Sequence, residues 1–128
     1  MNTGTYTQSD ICIYIIMLAF KVFRPVKYKH NLSINLLICL VGIYSYSKMI
    51  DNTFSRTNIF KFVTYFSYPA IKRYFEIYIQ RGLVIPCVMH GSRQYYKLSE
   101  QAIAIVQEIP QSYNRVMYEF SNKYNVSL

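Results

Sequence analysis

The chain has 128 residues, enough for one domain with a sizeable core, and 52% of them are hydrophobic, which excludes a disordered polar chain. Fourteen Lys and Arg against six acidic residues leave a formal charge of +8, which favours a polyanionic partner: nucleic acid or an anionic membrane surface. The few carboxylates, and the lack of G-x-S-x-G, a Gly-rich phosphate loop, H-E-x-x-H or a carboxylate pair, speak against an enzyme.

Residues 1–9 are polar and read as a frayed end. Residues 11–20 are ten consecutive apolar residues, too short for a membrane span, which needs about 20. No positive charge precedes them and no small-residue cleavage site follows, so they are not a signal peptide. They predict a helix over 9–23, capped by Ser9 or Asp10 and stopped by Pro25. Because it is apolar nearly all round, it calls for burial on more than one side, as against a second subunit. Residues 24–31 (RPVKYKHN) read as a basic, solvated connector.

Ser33 is placed to cap a helix over 34–48, with Leu36, Leu37, Leu40, Val41 and Tyr44 inward. Gly42 at its middle costs up to about 1 kcal/mol against Ala, which points to close helix packing there. A loop over 49–55 leads to a short helix over 56–65, with Ile59, Phe62, Val63 and Phe66 inward and Arg56, Asn58 and Lys61 on the polar side. The very short connection to Ser67 gives a helix-turn-helix pattern. Cys12, Cys39 and Cys87 are widely spaced, each in an apolar run, and are expected to be buried free thiols of a reducing cytoplasm. Neither they nor His30 and His90 have metal-ligand spacing, and no cofactor is expected.

The stretch 67–98 carries the strongest signal. Ser67 is a good N-cap, and Pro69 suits the first helical turn, where its missing N–H costs nothing. Ile71, Tyr74, Phe75, Tyr78 and Ile79 fall on one helical face, Lys72 and Arg73 lie off it, and Gly82 supplies a left-handed stop. An apolar strand over 83–89 follows, with Pro86 marking an edge or a bulge. His90, Gly91, Ser92 and Arg93 make a basic turn, and 94–98 returns as a strand. Helix, glycine stop and basic hairpin in that order predict a winged helix-turn-helix: a mainly α fold with a small β-hairpin wing.

The run Ser67-x-x-Ala70-Ile71-Lys72-Arg73, leading through Gln80-Arg81-Gly82-Leu83-Val84, resembles the recognition helix of MarR-type winged-helix regulators. Arg93 is similar to the wing arginine of that family. Tyr96-Lys97-Leu98-Ser99 resembles its wing ending, a pattern that PadR-type regulators share. The likeness covers residues 32–107. It departs from the pattern at His90-Gly91-Ser92, where an acidic residue is usual, and at Ala102, where glycine is usual. Beyond it, a helix over 99–108, an interruption at Pro110 and a last helix to 124 are expected. The resemblance implies a homodimer joined by the first and last helices, through Ile11, Ile15, Leu18, Val116 and Phe120.

The chain therefore reads as one winged-helix domain over 1–128, made of an N-terminal helix and connector (9–31), the winged-helix core (32–107) and a C-terminal helix (108–128). The expected function is sequence-specific binding of double-stranded DNA by a homodimeric transcriptional regulator in the cytoplasm. Tyr68, Lys72 and Arg73 would enter the major groove, Ser67, Arg56 and Lys61 would hold phosphates, and Arg93 with His90 would reach the neighbouring groove or backbone. A small apolar ligand between the dimer helices and the reading head is a further expectation. The rival readings are a winged helix that binds protein, a replication or mobile-element DNA-binding protein, and a membrane-peripheral helical hairpin.

Overall fold

Residue types at the ends of each segment set where the helices start and stop. The structure, a computed structural model, describes residues 7–124, with the side chains of all of them except Ile11 and Tyr124; residues 1–6 of the polar N-terminus lie outside the described residues. Helix α1 spans Gln8–His30, longer than the predicted 9–23 at both ends. Its cap is Thr7, not Ser9 or Asp10. Thr7 and Asp10 form a capping box in which Asp10 accepts from the Thr7 backbone N–H at 3.0 Å and Thr7 Oγ1 accepts from the Asp10 N–H at 3.1 Å. The Thr7 backbone N–H and the Thr7 hydroxyl, which donates to the same carboxylate at 2.9 Å, hold the Asp10 carboxyl below its ordinary range.

Pro25 does not stop α1, and the expected connector over 24–31 is helical. A proline inside a helix lacks one donor and crowds the carbonyl of residue i−4. Pro25 leaves the Lys21 carbonyl without its helical donor; one residue on, the buried Ser112 Oγ of the last helix donates to the Val22 carbonyl at 2.7 Å and ties this turn to that helix. Val22 and Val26, on either side of the proline, are both buried, so packing carries the helix past it. The chain leaves α1 at Asn31, in the left-handed region (φ 51°).

Helix α2 spans Ile34–Met49, with Ser33 capping through the Leu36 N–H. Leu36, Leu37, Cys39, Leu40, Gly42, Ile43 and Ser47 are buried, covering most of its circumference, so it is the central helix. Close packing at Gly42 is present: an added Cβ would stand 2.5 Å from Tyr65 Oη and 3.0 Å from Val63 Cγ2. Helix α3, Arg56–Phe62, is capped by Ser55 and Asn58 and ends three residues earlier than predicted. The turn to the next helix therefore runs over 63–67. Helix α4, Tyr68–Gln80, starts at the Ser67 cap with Pro69 in its first turn, and Gly82 (φ 71°) follows its end, both as expected.

The wing is β1 (Val84–His90) paired antiparallel with β2 (Arg93–Leu98), with a register shift between Pro86 and Met89. Pro86 itself pairs with Tyr96 and the ladder is interrupted just after it, in keeping with the edge or bulge that the proline marked. The segment 49–55, read as plain loop, contributes a missing piece. Phe54 donates to the Tyr96 carbonyl at 2.9 Å and accepts from the Tyr96 N–H at 2.7 Å, adding one residue of sheet to the far side of β2. Phe54 stands alone between polar residues, Asp51 to Thr53 before it and Ser55 after, and carries no periodic signal, so only the fold reveals it.

Helix α5 is continuous over Glu100–Tyr124, with Pro110 inside it instead of a break. Pro110 faces solvent, while Ala102, Ile105, Val106, Ser112 and Val116 keep one buried stripe on either side of it. The main core gathers residues of every element, including Leu37, Leu40, Phe54, Phe75, Tyr78, Leu83 and Ile105; a smaller cluster of Leu18, Val22 and Val116 joins α1 to α5. At the centre, Tyr78 Oη donates to the Leu36 carbonyl at 2.5 Å. Burial raises the Tyr78 phenol and pushes the neighbouring Cys39 thiol up to about 11, so both stay protonated. Tyr78→Phe is expected to cost about 0.5–1.5 kcal/mol, the net worth of one hydrogen bond, read as a lower urea midpoint at unchanged slope. No loss would mean that the Leu36 carbonyl is fully satisfied by its helical donor. Of the three cysteines expected to be buried, only Cys39 is; Cys12 and Cys87 are exposed because α1 and β1 turn their apolar runs partly outward.

Candidate nucleic-acid interface

The amphipathic pattern of α4 decides which side chains it offers. Its buried face is Ile71, Tyr74, Phe75 and Tyr78, and at 100° per residue Lys72 and Arg73 fall on the two flanks of the opposite face. Both are exposed. The Arg73 guanidinium lies over the Tyr74 ring, 5.5 Å from its centroid, and Tyr74 in turn packs edge-on against Phe66. Arg73 therefore has a preferred direction set by a cation–π contact. Tyr68, one turn before Lys72, is 60% exposed and rests on Phe60 at 4.1 Å between ring centroids. Lys61, next to Phe60, is also exposed, so the Phe60–Tyr68 contact sets Tyr68 and the adjacent Ser67 beside the end of α3 that carries Lys61. The Ser67 hydroxyl accepts from the Ala70 N–H at 3.3 Å and remains exposed.

Arg56 is placed differently from the expected polar face. It is half-buried, its guanidinium sits 5.2 Å from the Phe75 centroid and 5.8 Å from that of Tyr96, and its Nε is buried without a hydrogen-bond partner. It braces the start of α3 against α4 and the wing. Helical spacing alone made it a surface cation. The aromatic floor that captures it comes from two distant elements, and nothing in the sequence joins them.

His90 and Arg93 are opposite each other at the tip of the hairpin, where Gly91 (φ 63°) makes the turn. Both are exposed, and the His90 ring meets Tyr95 edge-on at 4.9 Å. Among the described residues, no hydrogen bond or ion pair joins this tip to α4. β1 is apolar but largely outside the core: only Val84 is buried, while Ile85, Val88 and Met89 are exposed.

The predicted dimerisation residues separate into two groups. Leu18 and Val116 are buried between α1 and α5 of the same chain, and Phe120 packs against them. Ile15 is 61% exposed, together with Ile13, Ile16, Met17 and Phe20 along the same half of α1. The side chain of Ile11 lies outside the described ones. Beside this surface an apolar groove of about 810 Å³ runs between α1 and α5, lined by Ile15, Leu18, Phe23, Pro110, Tyr113 and Met117 among others. Among the described residues, no helix is long and apolar enough to cross a membrane.

Neither a protein-family model nor a curated protein sequence matches the chain. Solved structures do. MepR, described as a transcription regulator of the Staphylococcus aureus multidrug efflux pump MepA, has a TM-score of 0.71 at 14% identity, over 95% of this chain and 86% of that one. A S. aureus MepR mutant bound to oligodeoxyribonucleotide has a TM-score of 0.70 at 14% identity, over 96% and 86%. A mutant MarR from E. coli has 0.69 at 12% identity, over 98% and 88%. With five helices and a two-stranded wing among the described residues, superposing on most of those proteins, this chain has the MarR-type winged helix-turn-helix fold that the resemblance over residues 32–107 implies.

Proposed function

We propose that the protein is a sequence-specific, double-stranded-DNA-binding transcriptional regulator that acts as a homodimer. The observation that carries this reading is the exposed cationic end of α4, with Tyr68, Lys72 and Arg73 projecting from a helix whose other face is locked in the core. In this reading Arg73 pairs with guanine in the major groove, while Lys72 and Tyr68 contact neighbouring base edges. Ser67 and Lys61 hold phosphates. Arg56 reaches a phosphate with its terminal nitrogens only, since Nε is closed off. His90 and Arg93 reach the adjacent groove or backbone from the wing. A MepR mutant captured on an oligodeoxyribonucleotide supports the same use of the shared fold.

The apolar half of α1 supports the dimer. Five large apolar side chains exposed on one helix need cover, and a second copy supplies it symmetrically. The groove between α1 and α5 also has the size and lining for a small apolar ligand.

Selection of bound duplexes from a random pool at physiological salt tests the reading. A palindromic consensus is expected, with affinity falling steeply as salt rises, because each phosphate contact releases counterions. Absence of enrichment would overturn it. One observation favours a second reading, a protein-binding winged helix: Ile85, Val88 and Met89 are exposed on β1, where apolar side chains suit a protein groove. That module would bind no duplex in a salt-dependent way.

A further inference from the structure

The last carbonyls of a helix have no donor within it, so whatever fills them fixes how that end is held. At the end of α1, the Lys27 carbonyl takes the backbone N–H groups of Asn31 and Leu32. The carbonyls of His30 and Asn31 are filled by one side chain from elsewhere, Arg81. Its Nη2 donates to His30 O at 2.6 Å and its Nη1 to Asn31 O at 2.8 Å. Arg81 is also the C-cap of α4: its N–H goes to Ile77 O at 3.0 Å, and Leu83 N–H then reaches back to Tyr78 O at 2.8 Å. One residue thus closes the recognition helix with its backbone and α1 with its side chain. A planar guanidinium gripping two successive carbonyls sets an angle as well as a distance, and its charge suits the negative end of the α1 dipole.

The same end of α1 is held from the other side. Glu108 of α5 accepts from Lys29 Nζ at 2.7 Å and pairs with His30 Nε2. Burial works against the Glu108 carboxylate, but the bonds from Lys29 and His30 prevail and keep it below its ordinary range. Residues 29–31 are therefore the joint between the α1–α5 arm and the reading head.

We propose that Arg81 is a positioning residue that sets the angle of the recognition helix against that arm, and so the register in which the two reading heads of a dimer meet one duplex. This rests on the homodimeric DNA-binding reading above. The magnitude makes the joint matter. A helix of 13 residues places its far end roughly 20 Å from Arg81, and a tilt of about 10° there moves that end by roughly 3–4 Å, about one base-pair step.

The first measurement needs no DNA. Nitroxides are placed at Lys21→Cys on α1 and Glu76→Cys on α4 of the full chain, with Cys12→Ser and Cys87→Ser, and spin-diluted samples are read by pulsed electron paramagnetic resonance. A narrow distance distribution is expected for the parent, a clearly broader one for Arg81→Gln, and an intermediate one for Arg81→Lys, whose point charge cannot orient two carbonyls. Equal widths would overturn the proposal, and Arg81→Lys carries the comparison should Arg81→Gln not fold. The second measurement uses the selected duplex with its half-sites respaced one base pair at a time. Arg81→Gln is expected to lose about tenfold at the preferred spacing, to flatten the spacing preference, and to bind a single half-site as the parent does. An equal loss on the single half-site would overturn the proposal by making Arg81 a phosphate contact. If the parent binds no duplex, the DNA reading fails while the distance measurement still decides the role of Arg81.

Discussion

Arg73→Ala is expected to weaken binding to the preferred duplex by about 1–3 kcal/mol, roughly 5- to 150-fold, and to relax base preference at one position of each half-site. The size follows from the proposed bidentate contact between guanidinium and guanine, which no smaller side chain would replace. The geometry supports a strong effect, because the side chain is exposed yet directed by the Tyr74 ring at 5.5 Å, which reduces the freedom lost on binding. Lys61→Ala is the internal comparison. As a proposed phosphate contact, its loss is expected to weaken all sequences alike and to reduce the salt slope by about one. A titration series across single-base variants of the selected site separates the two behaviours. An Arg73→Ala protein with unchanged affinity and unchanged preference would remove α4 from the reading role.

Phe75→Ala is expected to have the largest effect on stability, about 3–5 kcal/mol, a major share of what a domain of this size commands. Phe75 is 1% exposed and serves three elements at once. It meets Phe54 edge-on at 6.2 Å and Tyr96 edge-on at 4.9 Å, and it carries the Arg56 guanidinium on its face. Truncation removes buried area, leaves a cavity and strips Arg56 of half its floor, so recovery by local collapse is small. The loss is read from urea midpoints, with Phe75→Leu retaining most of the volume and most of the stability. A loss below about 1 kcal/mol would show that the wing is not packed on α4.

Local signals made a large part of this legible. Ser33 and Ser67 cap the helices they were expected to cap, because a short hydroxyl ahead of a periodic apolar run is complete within four residues. The glycine stop at Gly82, the register shift after Pro86 and the turn at Gly91 are likewise properties of backbone geometry at single positions. The two long helices run past their expected ends for the opposite reason. Pro25 and Pro110 are local breakers, and both are overruled by tertiary contacts: the Ser112 bond to Val22 and the continuous buried stripe of α5. The sequence by itself determined that this protein has an amphipathic, cationic helix followed by a hairpin, since periodicity and turn chemistry are short-range. Only the tertiary structure decided that Phe54 joins the wing, that Arg56 is held by two rings, and that Arg81 ends two helices at once. Each of those needs at least one partner dozens of residues away, and no spacing along the chain encodes such a meeting.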